Sequence, residues 1–149
     1  MFELRTNGLV RDYLSAWSRH SADDLAALYA GDALYEDLRL SATLRGRTAI
    51  RTHLCQVLAA CPDAALAVAA EPLATGSEAY IEWLIVRTGD GETQEIRGVS
   101  VMLIEGDLIV RQIDYPHVVA RAAGSGTASV ERAGAVAEDN IAWGEQHLV

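Results

Sequence analysis

The spacing of apolar residues predicts three helices in the first part of the chain. The first helix covers about residues 3–19, and a second, short helix begins at a capping-box-like Ser21 and ends at Gly31. A third helix follows Gly46 and stops at Pro62, because proline cannot continue a helix. The apolar residues at helical spacing are Leu4, Val10, Leu14 and Trp17 in the first helix, Leu25, Leu28 and Tyr29 in the second, and Ile50, Leu54, Val57 and Leu58 in the third.

Shorter apolar runs predict a β-sheet. One strand, residues 33–40, lies between the second and third helices. The later strands cover residues 66–70, 79–86, 94–104 and 108–118, with glycine-containing turns at residues 75–77, 89–91 and 105–107. Successive antiparallel strands that follow a group of helices are typical of an α+β fold.

The composition changes near the end of the last predicted strand. Residues 120–128 are Ala, Gly, Ser, Thr and one Arg, which is typical of a flexible linker. Residues 130–147 can form a short helix that carries Trp143. We therefore predict one domain over residues 1–121 and a linker with a helical tail over residues 122–149, and we expect the tail not to be needed for folding.

The charge and the cysteine content restrict the class of protein. The net charge of −9 opposes binding to nucleic acid and to anionic membranes, because such binding depends on Lys and Arg. No apolar run reaches the roughly 18 residues needed to span a bilayer, and the first residues lack a signal-peptide pattern. Cys55 and Cys61 fall on different faces of the third helix, so a disulfide is not expected. Together these features predict a cytoplasmic protein.

Two aspartates are candidates for acid–base chemistry because of their positions on predicted strands. Strand alternation places Asp37 on the same face as Tyr35, and Asp114 on the same face as Gln112. A carboxylate on a covered face is costly unless it is paired, hydrogen-bonded or protonated, and such groups often act as acids or bases. The alternatives are that Asp37 faces water at the end of its strand, and that Asp114 forms a salt bridge with Arg97.

Two stretches of the sequence resemble a known superfamily. They are residues 11–50, which contain Arg-Asp-Tyr-Leu-Ser-Ala-Trp and Asp-Ala-Leu-Tyr-Glu-Asp-Leu, and residues 98–115, Gly-Val-Ser-Val-Met-Leu-Ile-Glu-Gly-Asp-Leu-Ile-Val-Arg-Gln-Ile-Asp-Tyr. Both resemble the SnoaL-like group of polyketide cyclases, ketosteroid isomerases and limonene epoxide hydrolases, within the nuclear transport factor 2-like folds. The resemblance implies a cone-shaped, curved antiparallel sheet covered by three N-terminal helices (a cystatin-like roll), and a homodimer.

The resemblance also assigns expected roles to particular residues. Asp37 falls where ketosteroid isomerases keep a proton-shuttling Asp, and Tyr13 falls where they keep an oxyanion-binding Tyr. Tyr35 and Asp37 fall on the water-positioning pair of the epoxide hydrolases. Asp114 falls on the acid that polyketide cyclases carry near the end of the sheet, with His117 close by.

The chain departs from two of these patterns. The second oxyanion acid of the isomerases falls near Val99 or Ser100, and the Arg and Asp that complete the hydrolase site fall near Trp83 and Ile85. The resemblance therefore points to the fold more specifically than to one reaction.

These observations predict a cofactor-independent enzyme, without a metal, that acts on a small apolar oxygenated molecule such as a polyketide or terpenoid. The reaction is acid–base cyclisation, isomerisation, dehydration or epoxide opening. The alternatives are a domain that binds a small ligand without turnover and a dimerisation domain. His53 is expected to face solvent. The candidate catalytic residues are Asp37, Asp114, Tyr13, Tyr35 and His117, and the candidate pocket residues are Trp17, Trp83, Ile85, Met102 and Gln112.

Overall fold

A computed structural model describes residues 2–40, 43–89 and 91–123 of the chain. Within these residues, helices and strands follow one another in the order helix, helix, two strands, helix and five strands. The elements are α1 (Phe2–Ser18), α2 (Ala22–Ala26), β1 (Tyr29–Asp37), β2 (Thr43–Arg45), α3 (Arg47–Ala60), β3 (Ala65–Val68), β4 (Leu73–Thr75), β5 (Glu78–Gly89), β6 (Glu92–Glu105) and β7 (Leu108–Ala123).

All the strands belong to one curved, open sheet. The strand order is β2-β1-β7-β6-β5-β3, and β4 pairs with β5 outside this path. Every pairing is antiparallel except the one between β1 and β7, which is parallel. Gly91 and Gly106 have positive φ angles of 76° and 62° in the turns before β6 and β7, a backbone conformation that glycine adopts without strain. The predicted α+β architecture is confirmed.

The core lies between the helices and one face of the sheet. Leu9 and Val10 of α1 and Ile50 and Leu54 of α3 are buried against strand residues such as Ile81. In the part of the chain that the structure describes, no helix is long and apolar enough to cross a membrane.

The second helix is shorter than predicted. It ends at Ala26, and β1 begins at Tyr29, so that Gly31 lies inside a strand instead of ending a helix. Tyr29 pairs with Ile109 of β7, and the Ile109 amide donates to the Leu28 carbonyl at 2.8 Å. These long-range hydrogen bonds and the burial of Tyr29 outweigh a weak local helical pattern.

Other strand boundaries also differ from the predictions. β1 ends at Asp37 and not at residue 40, because the Leu40 amide turns back to the Asp37 carbonyl at 2.9 Å. β2 and β4 are short strands that the sequence pattern did not predict. β7 continues to Ala123, so residues 120–123 form part of the sheet and not of the predicted linker. The rest of that linker and the predicted tail helix with Trp143 lie outside the described residues.

Candidate functional site

A small cavity lies between α1, α3 and the inner face of the sheet. Its volume is about 50 Å³, which is room for a few water molecules or for the reactive end of a small ligand. The lining residues are Tyr13, Trp17, Tyr35, Asp37, Arg39, His53, Leu54, Val57, Leu66, Trp83, Ile85, Ser100 and Asp114. Most of the predicted site residues therefore come together at one place.

The parallel pairing of β1 with β7 brings the two aspartates side by side. Asp37 is the register partner of Asp114, and Tyr35 is the register partner of Gln112. Residues paired in this way lie about 4.8 Å apart across the sheet. Both aspartates are buried, with exposed fractions of 4% and 8%, and both line the cavity.

Asp114 accepts three side-chain hydrogen bonds. Ser100 Oγ donates to its Oδ1 at 2.6 Å, Gln112 Nε2 donates to the same oxygen at 2.9 Å, and the Tyr35 hydroxyl donates to Oδ2. Burial nevertheless raises the pKa of Asp114 above its ordinary value; these three bonds oppose the increase, and the nearby Asp37 charge adds to it. Asp114 therefore takes up a proton more readily than an exposed aspartate.

Gln112 organises the polar groups below Asp114. Its Oε1 accepts a hydrogen bond from the Tyr29 hydroxyl at 2.5 Å, and its Nε2 also donates to the Tyr13 hydroxyl oxygen at 3.2 Å. Burial raises the pKa of both tyrosines, so their hydroxyls remain protonated and can donate. Gln112 thereby fixes the positions of Tyr13 and Asp114 relative to each other.

Asp37 has a different environment from Asp114. It accepts hydrogen bonds from the Arg39 backbone amide at 2.9 Å and from Arg39 Nη2 at 3.1 Å. The Arg39 side chain is 43% exposed and lies at the rim of the cavity. In the part of the chain that the structure describes, no such cation is paired with Asp114. The two carboxylates are therefore neighbours, but only the charge of Asp37 is balanced by a paired cation among the described residues.

His53 lines the cavity, although the sequence pattern placed it toward solvent. Its ring centroid lies 5.4 Å from that of Tyr35. Burial lowers the pKa of His53, and the charges of Asp37 and Asp114 only partly oppose this effect, so the imidazole is neutral at neutral pH. The available signal was its spacing, because residue 53 lies three positions after Ile50 and four before Val57, next to the apolar face of α3.

Three predicted site residues do not line the cavity. His117 is exposed and pairs across the sheet with Arg97 on the outer face, so it does not reach Asp114. Met102 is fully buried in the core. Gln112 is fully buried behind Asp114, where it supports the site without forming its wall. Strand alternation from Asp114 already places residue 117 on the opposite face, but it cannot separate Met102 and Gln112 from wall positions on the same inner face that differ in depth.

The donors around the aspartates are suited to proton transfer and to binding an oxygen atom. Among residues 2–40, 43–89 and 91–123, no three His, Cys, Asp or Glu side chains come together as a metal-binding group. The arrangement instead offers one carboxylate with a raised pKa, protonated tyrosines and a neutral imidazole. These groups can remove, deliver or hold a proton.

Comparisons with known proteins agree with this architecture. Residues 10–112 match the family of SnoaL-like domains. A protein from Catenulispora acidiphila with a ketosteroid isomerase-like fold, solved with trimethylamine, is 21% identical; the match has a TM-score of 0.66 and covers 74% of this chain and 85% of that protein.

Two further solved structures have the same fold. A proposed ketosteroid isomerase from Kribbella flavida is 24% identical with a TM-score of 0.66, and the match covers 79% of this chain and 82% of that one. A proposed polyketide cyclase from Sinorhizobium meliloti is 21% identical with a TM-score of 0.62, over 72% of this chain and 94% of that one. No curated protein matches the sequence.

Proposed function

This chain belongs to the SnoaL-like domain family, and from that premise we propose that it is a cofactor-independent enzyme that moves a proton on a small, apolar, oxygenated molecule. The reaction is an isomerisation, cyclisation, dehydration or epoxide opening. The observation that carries the proposal is the desolvated Asp114 carboxylate in a cavity whose other walls are largely aromatic and aliphatic.

Asp114 is the proton carrier in this proposal. A general acid or base works best when its pKa lies near the working pH, and burial moves the pKa of Asp114 in that direction. Its hydrogen bonds from Ser100, Gln112 and Tyr35 fix the carboxylate in one orientation, which lowers the entropic cost of proton transfer. Such a group contributes about 10² to 10⁴ in rate.

Asp37 and His53 complete the acid–base set. The ion pair with Arg39 holds Asp37 beside Asp114, where the negative charge of Asp37 favours the protonated form of Asp114. The neutral imidazole of His53 can accept a proton or donate one at the mouth of the cavity. This division of roles replaces the expectation that His117 assists Asp114.

The cavity favours neutral substrates. Two carboxylates and one guanidinium face it, so an anionic ligand would meet net repulsion. The walls formed by Trp17, Val57 and Ile85 favour a hydrocarbon skeleton, and the hydroxyl groups favour an oxygen substituent. Polyketides and terpenoids combine these features.

The experiment is a proton-exchange assay that does not require the natural substrate. The protein is incubated in D₂O with cyclopentanone for α-proton exchange, with a β-hydroxyketone for dehydration and with cyclohexene oxide for ring opening, and products are followed by NMR. We expect catalysis of at least one reaction, and a loss of about 100-fold or more in Asp114→Asn. The matched control is Asp107→Asn in the exposed turn before β7, which should retain full activity.

Two outcomes would contradict the proposal. One is that no probe reacts faster than the uncatalysed background. The other is that Asp114→Asn and Asp107→Asn are equally active.

Ligand binding without turnover is the second candidate. It is favoured by the fact that Asp114 already receives three hydrogen bonds from the protein, an arrangement that can serve a rigid binding site as well as a reaction. Native mass spectrometry against a small-molecule library distinguishes the two, because a binding protein retains its ligand unchanged.

A further inference from the structure

The indole N–H of Trp17 is a buried hydrogen-bond donor without a partner among the described residues. Trp17 lines the cavity that contains Asp114. Buried indole N–H groups normally find an acceptor, because an unmade hydrogen bond costs about 1–3 kcal/mol. An unsatisfied donor at the wall of a cavity therefore indicates that a ligand in the cavity supplies a hydrogen-bond acceptor.

Trp83 shows that this is not a general property of the tryptophans at the site. It lines the same cavity, but its Nε1 donates to Ser100 Oγ at 2.9 Å. Ser100 in turn donates to Asp114, so the Trp83 indole is fully engaged in the protein's own network. Of the two tryptophans that line the cavity, only Trp17 has an indole N–H that is left for a group entering from outside.

Tyr13 lies one helical turn before Trp17 on the same face of α1. Burial raises the pKa of Tyr13, and the nearby Trp17 indole N–H partly opposes that increase. The indole N–H nevertheless lies outside hydrogen-bonding geometry with the Tyr13 hydroxyl. The Tyr13 oxygen accepts from Gln112, which leaves the Tyr13 proton available for donation. Two donors therefore lie side by side at the α1 wall.

We infer that Trp17 Nε1–H is a second donor, beside the Tyr13 hydroxyl, for a neutral acceptor oxygen of the substrate. The inference deepens the proposed function and rests on it. It specifies a substrate with a carbonyl oxygen directed at α1 and its acidic C–H bond directed at β7. A ligand without that oxygen leaves the indole unsatisfied and binds more weakly.

The chemical step then balances within the site. The C–H bond next to the carbonyl breaks and its proton goes to an Asp114 carboxylate oxygen. The electron pair of that bond forms the new C=C bond, and the carbonyl π pair moves to the oxygen. That oxygen gains negative charge between Trp17 and Tyr13, where fixed donors stabilise it most.

The test uses the indole N–H as its own reporter. ¹H–¹⁵N spectra are recorded during titration with cyclopentanone and, separately, with methylenecyclopentane, which has the same shape but no acceptor oxygen. Spectra of Trp17→Phe and Trp83→Phe assign the two indole signals. We expect cyclopentanone to move the Trp17 Hε1 signal downfield, while the Trp83 signal, which is already hydrogen-bonded, moves much less.

The inference is overturned if the Trp17 signal does not respond to the ketone, or if it responds equally to the alkene. A second readout is the affinity for cyclopentanone, which should fall about 5- to 10-fold in Trp17→Phe, the effect of one lost hydrogen bond. Affinity for methylenecyclopentane should be unchanged by that substitution. An equal loss for both ligands would mean that the ring only packs, and would overturn the inference as well.

These results separate the inference from the proposed function. If the ketone shifts the Trp17 signal but no probe reacts in D₂O, the donor site stands and the proposed catalysis fails. If the probes react and Trp17→Phe has the same rate as the unmodified chain, catalysis stands and the role of Trp17 fails.

Discussion

Tyr35 and Tyr80 each donate a hydrogen bond to a carboxylate, one inside the cavity and the other at the surface. The Tyr35 hydroxyl donates to Asp114 Oδ2 in a buried site, and the Tyr80 hydroxyl donates to Glu78 Oε2 at 2.8 Å in an exposed one. A hydrogen bond to a charged group contributes about 1.5–3 kcal/mol when it is shielded from water. Tyr35→Phe should therefore lower the free energy of unfolding by about 2 kcal/mol at neutral pH, and Tyr80→Phe should lower it far less because water replaces the lost hydrogen bond at the surface.

The effect of Tyr35→Phe should depend on pH with a definite sign. In the folded protein, burial raises the pKa of Asp114 and the bond from Tyr35 opposes that increase, so its removal raises this pKa further. When folding raises the pKa of an acid, the resulting stabilisation is present below the unfolded pKa of about 4 and is lost as the pH rises through the folded pKa. As the pH rises, the free energy of unfolding of Tyr35→Phe therefore falls more than that of the original chain.

The assay is urea unfolding of both variants and the original chain at about pH 4, near the pKa of an aspartate in the unfolded chain, and at about pH 7.5. Protein concentration is held constant, so that any self-association affects all samples equally. We expect the deficit of Tyr35→Phe to be larger at the higher pH. Equal deficits at both pH values, or equal deficits in Tyr35→Phe and Tyr80→Phe, would refute the reasoning.

Three further predictions follow from other parts of the structure. A Cβ atom at Gly98 would lie 2.5 Å from the Trp83 ring, so Gly98→Ala should destabilise the fold by about 1–3 kcal/mol. At Gly8 in α1 nothing lies within 4 Å of such an atom, so Gly8→Ala should stabilise the fold by about 0.5–1 kcal/mol. Thermal unfolding measures both changes. The outer sheet face carries the exposed Tyr115, and we predict that the chain forms a homodimer through this face. In sedimentation, Tyr115→Glu should shift the dimer to monomer, and a stable monomer of the unmodified chain at micromolar concentration would contradict the prediction. A chain that ends at Ala123 should keep the thermal midpoint of the full chain, and a clearly lower midpoint would mean that the tail packs on the domain.

The sequence by itself determined those features that depend on a few neighbouring residues. The apolar spacing around Ile50 and Leu54 places the buried face of α3. Strand alternation puts Tyr35 and Asp37 on one face of β1 before any pairing is known. These are consequences of backbone geometry, because side chains repeat every 3.6 residues in a helix and every two in a strand.

Only the tertiary structure decided which of these faces meet. The hydrogen bond from Tyr35 to Asp114 spans 79 positions of sequence, and it depends on the parallel pairing of β1 with β7, which no local pattern specifies. Because of the same pairing, Tyr29 lies in a strand and not in the predicted second helix. Depth along a face was equally undetermined, so the pattern could not show that Met102 and Gln112 lie behind the cavity wall. Alternation does place residue 117 on the face opposite Asp114, where the structure has His117 exposed. Periodicity gives the direction of a side chain, whereas the neighbours that bury it, raise its pKa or leave its donor unpaired are set by contacts between distant segments.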